Sequence, residues 1–102
     1  MSDAVLLTGA EIQFHELYAR FFTSSFARAD EFESAITEAL QQLGDFPHSA
    51  PKFVEPYRRM VLSKFYLALY YVIETRRVFV HAIFDSRSSP NTIRHHLGLP
   101  PI

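Results

Sequence analysis

The chain of 102 residues contains no cysteine, and no apolar stretch in it approaches the length of a membrane-spanning helix. The absence of cysteine excludes a disulfide framework and thiolate chemistry, and it fits a reducing cytoplasm. A spanning helix needs about 18–20 apolar residues, so we expect no membrane segment. The first eight residues lack the basic start and apolar run of a signal peptide. A net charge of −1 gives no sign of a nucleic-acid binder.

Aromatic residues are abundant, with ten Phe and five Tyr. Hydrophobic residues make up 48% of the sequence and aromatic residues 15%. Such a composition lets a small chain fill a hydrophobic core without disulfides. The length suits one domain with a modest core, so we predict a single domain over residues 1–102.

Two apolar runs, residues 65–73 and 78–84, are rich in Tyr, Phe, Val and Ile. These residue types favour strands, and the short link between the runs favours a hairpin. The link lacks the Asn-Gly or Asp-Gly pair typical of tight hairpin turns. A third strand is predicted over residues 57–63, ahead of the hairpin. Together the three runs form an antiparallel meander.

Two helices are predicted ahead of the meander, after a short apolar strand at residues 4–7. Thr8 and Glu11 have the spacing of a capping box, which predicts a helix start at this point. The second helix is expected over about residues 27–43, with Gly44 just past its end and Pro47 as a stop. Its predicted apolar face comprises Ala29, Phe32, Ile36, Ala39, Leu40 and Leu43.

Helices followed by strands indicate an α+β fold with the helix hairpin on one face of the sheet. Residues 91–97 are expected to add one or two helical turns at the end. Strand alternation predicts two faces for the last strand, both substantially apolar. One comprises Val78, Val80, Ala82 and Phe84, and the other Phe79, His81, Ile83 and Asp85. Two helices can cover only one face, so we expect the second face to be partly covered.

Four pieces of the chain, in order, are similar to elements of one known family. Residues 29–47 are similar to its second helix and Phe-Pro exit, and residues 57–62 to its Arg-bearing strand. Residues 65–71 are similar to its Phe-Pro-Tyr-x-Ile-Tyr-Tyr strand, and residues 78–90 to its last strand and the His-x-Arg-Arg-Asp-Pro run that follows. Over roughly residues 27–97 the chain therefore resembles the ParE/RelE superfamily of toxins from bacterial type II toxin–antitoxin modules.

The chain departs from the family pattern where RNA cleavage would need chemistry. Asp85 stands where the family often has His, and Ser88 and Ser89 stand where it often has Arg and Asp. Ala68 occupies the third-strand position at which RelE-like members carry Arg. An aspartate does not donate a proton at neutral pH unless its pKa is strongly raised, and arginine cannot serve as a base.

Cleavage of mRNA would require a general base, a general acid and cations at the phosphate. The candidate side chains are Lys52, Arg58, Arg59, Lys64, His81, Arg87, His95 and His96. A nuclease would draw on Arg58, Arg59, His81 and Arg87, although a half-buried structural role is the preferred interpretation of His81. Adjacent His95 and His96 point in different directions and lack a carboxylate at metal-site spacing, so no metal site is predicted.

Six residues are predicted to contact a target or an antitoxin: Arg58, Arg59, Tyr70, Tyr71, Asp85 and Arg87. Arg58 and Arg59 are neighbours on a strand and should face opposite sides. They are either a solvated pair on an edge strand or include one arginine that lines a groove with Arg87. Of Tyr70 and Tyr71, one is expected in the core and the other at the surface as an anchor for a partner.

The resemblance implies a growth-arresting, plasmid-stabilising toxin closer to the ParE branch. Such a protein works without cofactor or metal in the cytoplasm, binds DNA gyrase, does not bind a membrane and is neutralised by a cognate antitoxin. A homodimer and a toxin–antitoxin heterotetramer are the candidate assemblies. The alternatives are a RelE-like endonuclease that cuts mRNA in the ribosomal A site, and a degenerate member that only binds its partner.

Overall fold

The computed structural model describes residues 3–102 and has an α+β architecture. The predicted order of one strand, two helices, three strands and a short C-terminal helix is confirmed. In chain order the elements are β1 (Asp3–Leu6), α1 (Thr8–Ser24), α2 (Phe26–Asp45), β2 (Arg58–Leu62), a single 3₁₀ turn (Ser63–Phe65), β3 (Leu67–Glu74), β4 (Arg77–Asp85) and α3 (Pro90–His96).

The four strands form one mixed sheet in the order β1-β4-β3-β2. β2, β3 and β4 form the predicted antiparallel meander, whereas β1 runs parallel to β4 with Val5 opposite Phe79. Parallel neighbours require a crossover connection. Here α1, α2, β2 and β3 lie between β1 and β4 in the chain, and the two helices pack on one face of the sheet.

The main core lies between this helix hairpin and the sheet. The predicted face of α2 is confirmed, since Phe32, Ile36 and Leu43 are fully buried and Leu40 is half-buried. They pack with residues of the central strands, among them Leu69. Burying side chains of this size contributes about 1.5–3 kcal/mol each, so this interface is a major source of stability.

The predicted ends of the helices are partly wrong. Leu7, not Thr8, precedes the first turn of α1, and it provides no side-chain cap. The amide of Leu7 donates to the carbonyl of Val80 over 2.9 Å, so sheet bonding continues to the residue before the helix and leaves no free capping position. The observed cap is Ser25, whose hydroxyl accepts from the amide of Arg28. Gly44 is buried inside α2, which ends at Asp45.

The predicted division of β4 into two faces is also wrong, because β4 carries a bulge. Tyr70 is paired with Ala82 and Tyr71 with Val80, which leaves His81 as an extra residue. One extra residue reverses the alternation from that point on. Val80 therefore packs in the main core together with Ile83, whereas Ala82 packs on the opposite side of the sheet.

The second face of the sheet has a smaller core of its own. Ala68, Tyr70 and Ala82 are buried there beneath Ile93 of α3, with Phe53, Phe84 and Leu97 packed around them. α3 is well defined at its start, because the hydroxyl of Ser89 accepts from the amide of Thr92 and Pro90 occupies the first turn. This face is thus partly covered, as expected. Within residues 3–102, no helix combines the length and the apolar character that crossing a membrane requires.

Candidate functional site

Arg58 and Arg59 are both half-buried, and the guanidinium group of each donates a hydrogen bond to a backbone carbonyl. Nη1 of Arg58 donates to the carbonyl of Ala50 over 2.7 Å and so holds the loop that precedes β2. Arg59 donates from Nε to the phenolic oxygen of Tyr70 and from Nη2 to the carbonyl of Ser86, each over 3.0 Å. The interpretation as a solvated pair on an edge strand is therefore wrong. Both arginines thus provide hydrogen-bond donors for loop carbonyls at the edge of the sheet.

Tyr70 and Tyr71 point to opposite faces of the sheet, and both are buried, with exposed fractions of 1% and 0%. The expectation that one of them is a surface anchor is wrong, because Phe53 and Ile93 cover the face on which Tyr70 lies. The hydroxyl of Tyr71 donates to the carbonyl of Pro47 over 2.7 Å. Burial raises the pKa of Tyr71 above its ordinary value of 10.0.

His81 is half-buried in the β4 bulge, where its ring meets the ring of Tyr57 edge-on at 5.2 Å between centroids. The predicted half-burial of His81 is thus confirmed, and its structural role stays a prediction. Burial lowers the pKa of His81 from its ordinary value of 6.5, opposed by the nearby charge of Glu74. His96 packs edge-on against Phe84. In the part of the chain that the structure describes, no three His, Asp or Glu side chains gather as metal ligands would.

The two candidate lysines each form an exposed ion pair. Nζ of Lys52 lies 3.0 Å from a carboxylate oxygen of Glu55, and Nζ of Lys64 lies 3.3 Å from one of Glu31. Exposed pairs of this kind contribute little to stability. Neither lysine lines the cavity next to Arg87, so the structure does not bring the predicted cations of a nuclease together there.

Asp85 and Arg87 form a two-pronged ion pair at the end of β4. Nε of Arg87 donates to Oδ1 of Asp85 over 3.0 Å and Nη2 donates to Oδ2 over 2.7 Å. These bonds from Arg87, together with its backbone amide, lower the pKa of Asp85 to about 2. The guanidinium of Arg87 also lies 4.7 Å from the centre of the Tyr66 ring. This pair stays accessible, with side chains 45% and 70% exposed.

A cavity of about 480 Å³ opens next to this pair, between α1, the start of α2 and the end of β4. It exists because β1 ends at Leu6 and leaves the second half of β4 without a neighbouring strand on that side. Gln13 of α1 substitutes there for a strand, since its Oε1 accepts from the amide of Ile83 over 2.9 Å. The second half of β4 therefore borders a recess there, and no strand continues the hydrogen-bond pairing that β1 makes with the first half.

We call this recess the arginine cavity, because Arg20, Arg28 and Arg87 all line it, together with Tyr66 and several apolar side chains. The sequence predicted only Arg87 of this group. Arg20 and Arg28 lie on different helices and form no motif. Only the turn of the helix hairpin, at Ser25, brings them to one recess. Arg20 and Arg28 are eight residues apart in the sequence, and this spacing did not indicate that they share a site.

Comparison with known proteins adds no family assignment. No protein-family model matches the chain, and no curated protein matches it in sequence.

Proposed function

We propose that the chain is the toxin of a type II toxin–antitoxin module, of the ParE/RelE kind, which acts in the cytoplasm by binding DNA gyrase. The observation that supports this most is the order of elements. A helix hairpin follows the first strand and precedes a three-stranded meander with a short C-terminal helix. The sequence resemblance implies that same order. A cognate antitoxin is the second partner, in a heterotetramer or on a toxin homodimer.

Binding to gyrase is favoured over cleavage of mRNA by the state of the candidate catalytic residues. Arg59 is held by Tyr70 and Ser86. Asp85 is ionised and paired with Arg87, so it has no proton to give to a leaving oxygen. His81 lies in the bulge of β4 and does not line the arginine cavity with Arg87. Among the candidate catalytic residues that the structure describes, none therefore combines a transferable proton with a neighbouring cation free to bind a phosphate.

Controlled expression in bacteria tests the proposal. Expression of the chain alone should arrest growth and produce filaments, and co-expression of the reading frame beside its gene should restore division. Purified protein should inhibit supercoiling by gyrase. A matched control is Leu69→Asp, which places a charge in the main core and should abolish folding and toxicity together.

Unimpaired growth at verified soluble expression would contradict the toxin proposal and favour a degenerate member that only binds its partner. Growth arrest without gyrase inhibition, but with cuts in translated mRNA, would favour the endonuclease instead.

A further inference from the structure

The arginine cavity carries positive charge that the protein itself does not neutralise. Three arginines and two carboxylates, Glu16 and Asp85, line it, which leaves a net charge of +1. Asp85 is already paired with Arg87. Among residues 3–102, neither Arg20 nor Arg28 forms an ion pair with a carboxylate. Two guanidinium groups are thus left to bind an anion in a concave site.

Arg28 is held in place by aromatic rings. Its guanidinium carbon lies 5.4 Å from the centre of the Phe21 ring and 5.1 Å from that of Phe65. Stacking of this kind fixes the planar fork that binds oxyanions through two parallel hydrogen bonds. Arg28 also lies in the first turn of α2, which contains no acidic residue. A cation there opposes the helix dipole, and a bound anion would relieve that unfavourable charge.

Tyr66 adds a flat, accessible surface to the same cavity. It has a left-handed backbone with φ of 53°, an unusual conformation for a residue with a bulky side chain. Tyr66 as a whole residue is 58% exposed, and the guanidinium of Arg87 lies over its ring at 4.7 Å from the centroid. Aromatic rings and arginine planes are the surfaces on which proteins stack nucleobases.

We infer that the arginine cavity binds a mononucleotide, with the phosphate on Arg20 and Arg28 and the base against Tyr66 and Arg87. The volume of about 480 Å³ lies within the range of small-molecule sites, about 300–1,000 Å³. An acidic peptide would also satisfy the arginines, but its carboxylates offer no planar ring to stack on the accessible surface formed by Tyr66 and Arg87. The inference goes beyond the proposed function and stands whether or not the chain is toxic.

NMR titration of the full chain with adenosine monophosphate, inorganic phosphate and adenosine tests the inference. We expect the nucleotide to shift amides around Gln13, Arg28 and Tyr66. Its dissociation constant should be at least about fivefold lower than that of phosphate, since a stacked base contributes about 1–3 kcal/mol. Tyr66→Leu should weaken nucleotide binding to the level of phosphate and leave phosphate binding unchanged.

The charged contacts have a matched control on the far side of the molecule. Arg28→Gln and Arg20→Gln should each weaken phosphate and nucleotide binding by about tenfold. Arg76→Gln, which makes the same charge change at the tip of the β3–β4 hairpin, should leave both unchanged. Arg20 is exposed on α1, so Arg20→Gln provides the test even if Arg28→Gln fails to fold.

Three results would overturn the inference. One is the absence of amide shifts at about 10 mM nucleotide, where even a weak site would be occupied. Another is an equal loss of affinity in Arg76→Gln and Arg20→Gln, which would indicate attraction by overall charge alone. The third is binding of an acidic peptide in the cavity that the nucleotide does not displace, which would assign the surface to a protein partner.

Discussion

Arg59 and Tyr70 are joined across the β2–β3 pair by a hydrogen bond of 3.0 Å from Nε to the phenolic oxygen. The same guanidinium donates to the carbonyl of Ser86, just beyond β4, so one side chain connects three segments of the sheet. Tyr70 is almost fully buried and needs this partner for its hydroxyl. An arginine that the sequence suggested for a binding groove is therefore part of the framework.

Tyr70→Phe should reduce the free energy of unfolding by about 1–2 kcal/mol, because Arg59 loses an acceptor in a half-buried position. Urea denaturation at neutral pH measures this. The matched control is Tyr57→Phe, which deletes a phenolic hydroxyl that forms no hydrogen bond among the described residues and should change stability by less than about 0.5 kcal/mol. Equal losses in the two variants would show that the Arg59 contact contributes nothing specific.

Tyr71 should make the protein sensitive to alkaline pH. Burial raises its pKa in the folded state above 10.0, so the folded chain holds this proton more tightly than the unfolded chain. The contribution is complete below pH 10.0 and is lost as the pH rises through the folded pKa. Tyr71→Phe should be less stable at neutral pH by about 1 kcal/mol, through loss of the bond to Pro47. It should also show a shallower decline above pH 10.0. Parallel declines in the two proteins would contradict this assignment.

His81 should make the protein sensitive to mild acid. Its pKa lies below 6.5 in the folded state because burial disfavours the charged ring. The unfolded chain therefore takes up this proton first, and stability falls as the pH drops from 6.5 through the folded pKa. An NMR titration of the imidazole measures the shift directly. Tyr57→Ala removes the ring that covers His81 and should return its pKa towards 6.5. No change in that variant would indicate another cause.

The β3–β4 turn is built from unfavourable residues. Thr75 and Arg76 have positive φ values of 46° and 67°, the geometry for which Asn-Gly is preferred. A side chain that branches at Cβ makes this conformation costly. Changing the pair to Asn-Gly (Thr75→Asn, Arg76→Gly) should raise the free energy of unfolding by about 1 kcal/mol, measured by thermal melting. The control is Arg77→Gly at the first residue of β4, which should lower the free energy of unfolding.

The order and types of the elements were predictable because each has a clear pattern of apolar residues. The pattern is clear in α2, whose apolar face from Phe32 to Leu43 recurs at helical spacing. It is equally clear in β3 and β4, which are almost continuous apolar runs. The β3–β4 hairpin was predicted without a typical turn sequence, because the lengths of the two apolar runs and the short link between them were enough to indicate it. What failed depended on contacts between distant segments. The bond from Leu7 to Val80 shifted the start of α1, and no local pattern announces the bulge at His81.

The candidate site was predictable only in part, for the same reason. Asp85 and Arg87 were both selected from the sequence as contact residues, and they lie two residues apart at the accessible end of β4. Their ion pair itself was not predicted. By contrast, Arg58 and Arg59 were assigned to a surface because charge usually indicates exposure, whereas here carbonyls of Ala50 and Ser86 provide their partners. Arg20 was missed because its position beside β4 depends on where β1 ends.

The ionisation of Asp85 distinguishes the proposed gyrase-binding function from the alternative of an mRNA endonuclease. Its pKa is about 2, held there by hydrogen bonds from Arg87, against an ordinary value of 3.8. Arg87→Ala removes these bonds and should return the pKa of Asp85 towards 3.8, as measured by the pH dependence of its carboxyl carbon signal. A residue this acidic is a carboxylate throughout the physiological range. It cannot act as the general acid that a RelE-like endonuclease would need at the end of β4.

The chain should therefore show no ribosome-dependent cleavage of mRNA. Loss of a general acid or of a cation at the phosphate costs about 10²-fold or more each. By the proposed resemblance to the ParE/RelE superfamily, Ala68 stands where RelE-like members carry the cation and Asp85 where the family often has the acid. Primer extension on translated mRNA, with the chain expressed to growth arrest, measures this. The matched comparison is Asp85→His, which restores the candidate general acid at the accessible end of β4, and only this variant should show any cleavage. Ala68 is fully buried in the smaller core, so Ala68→Arg would disrupt the fold and is not used. Codon-linked cuts by the parent chain that vanish in Arg87→Ala would overturn the prediction and establish the endonuclease mechanism.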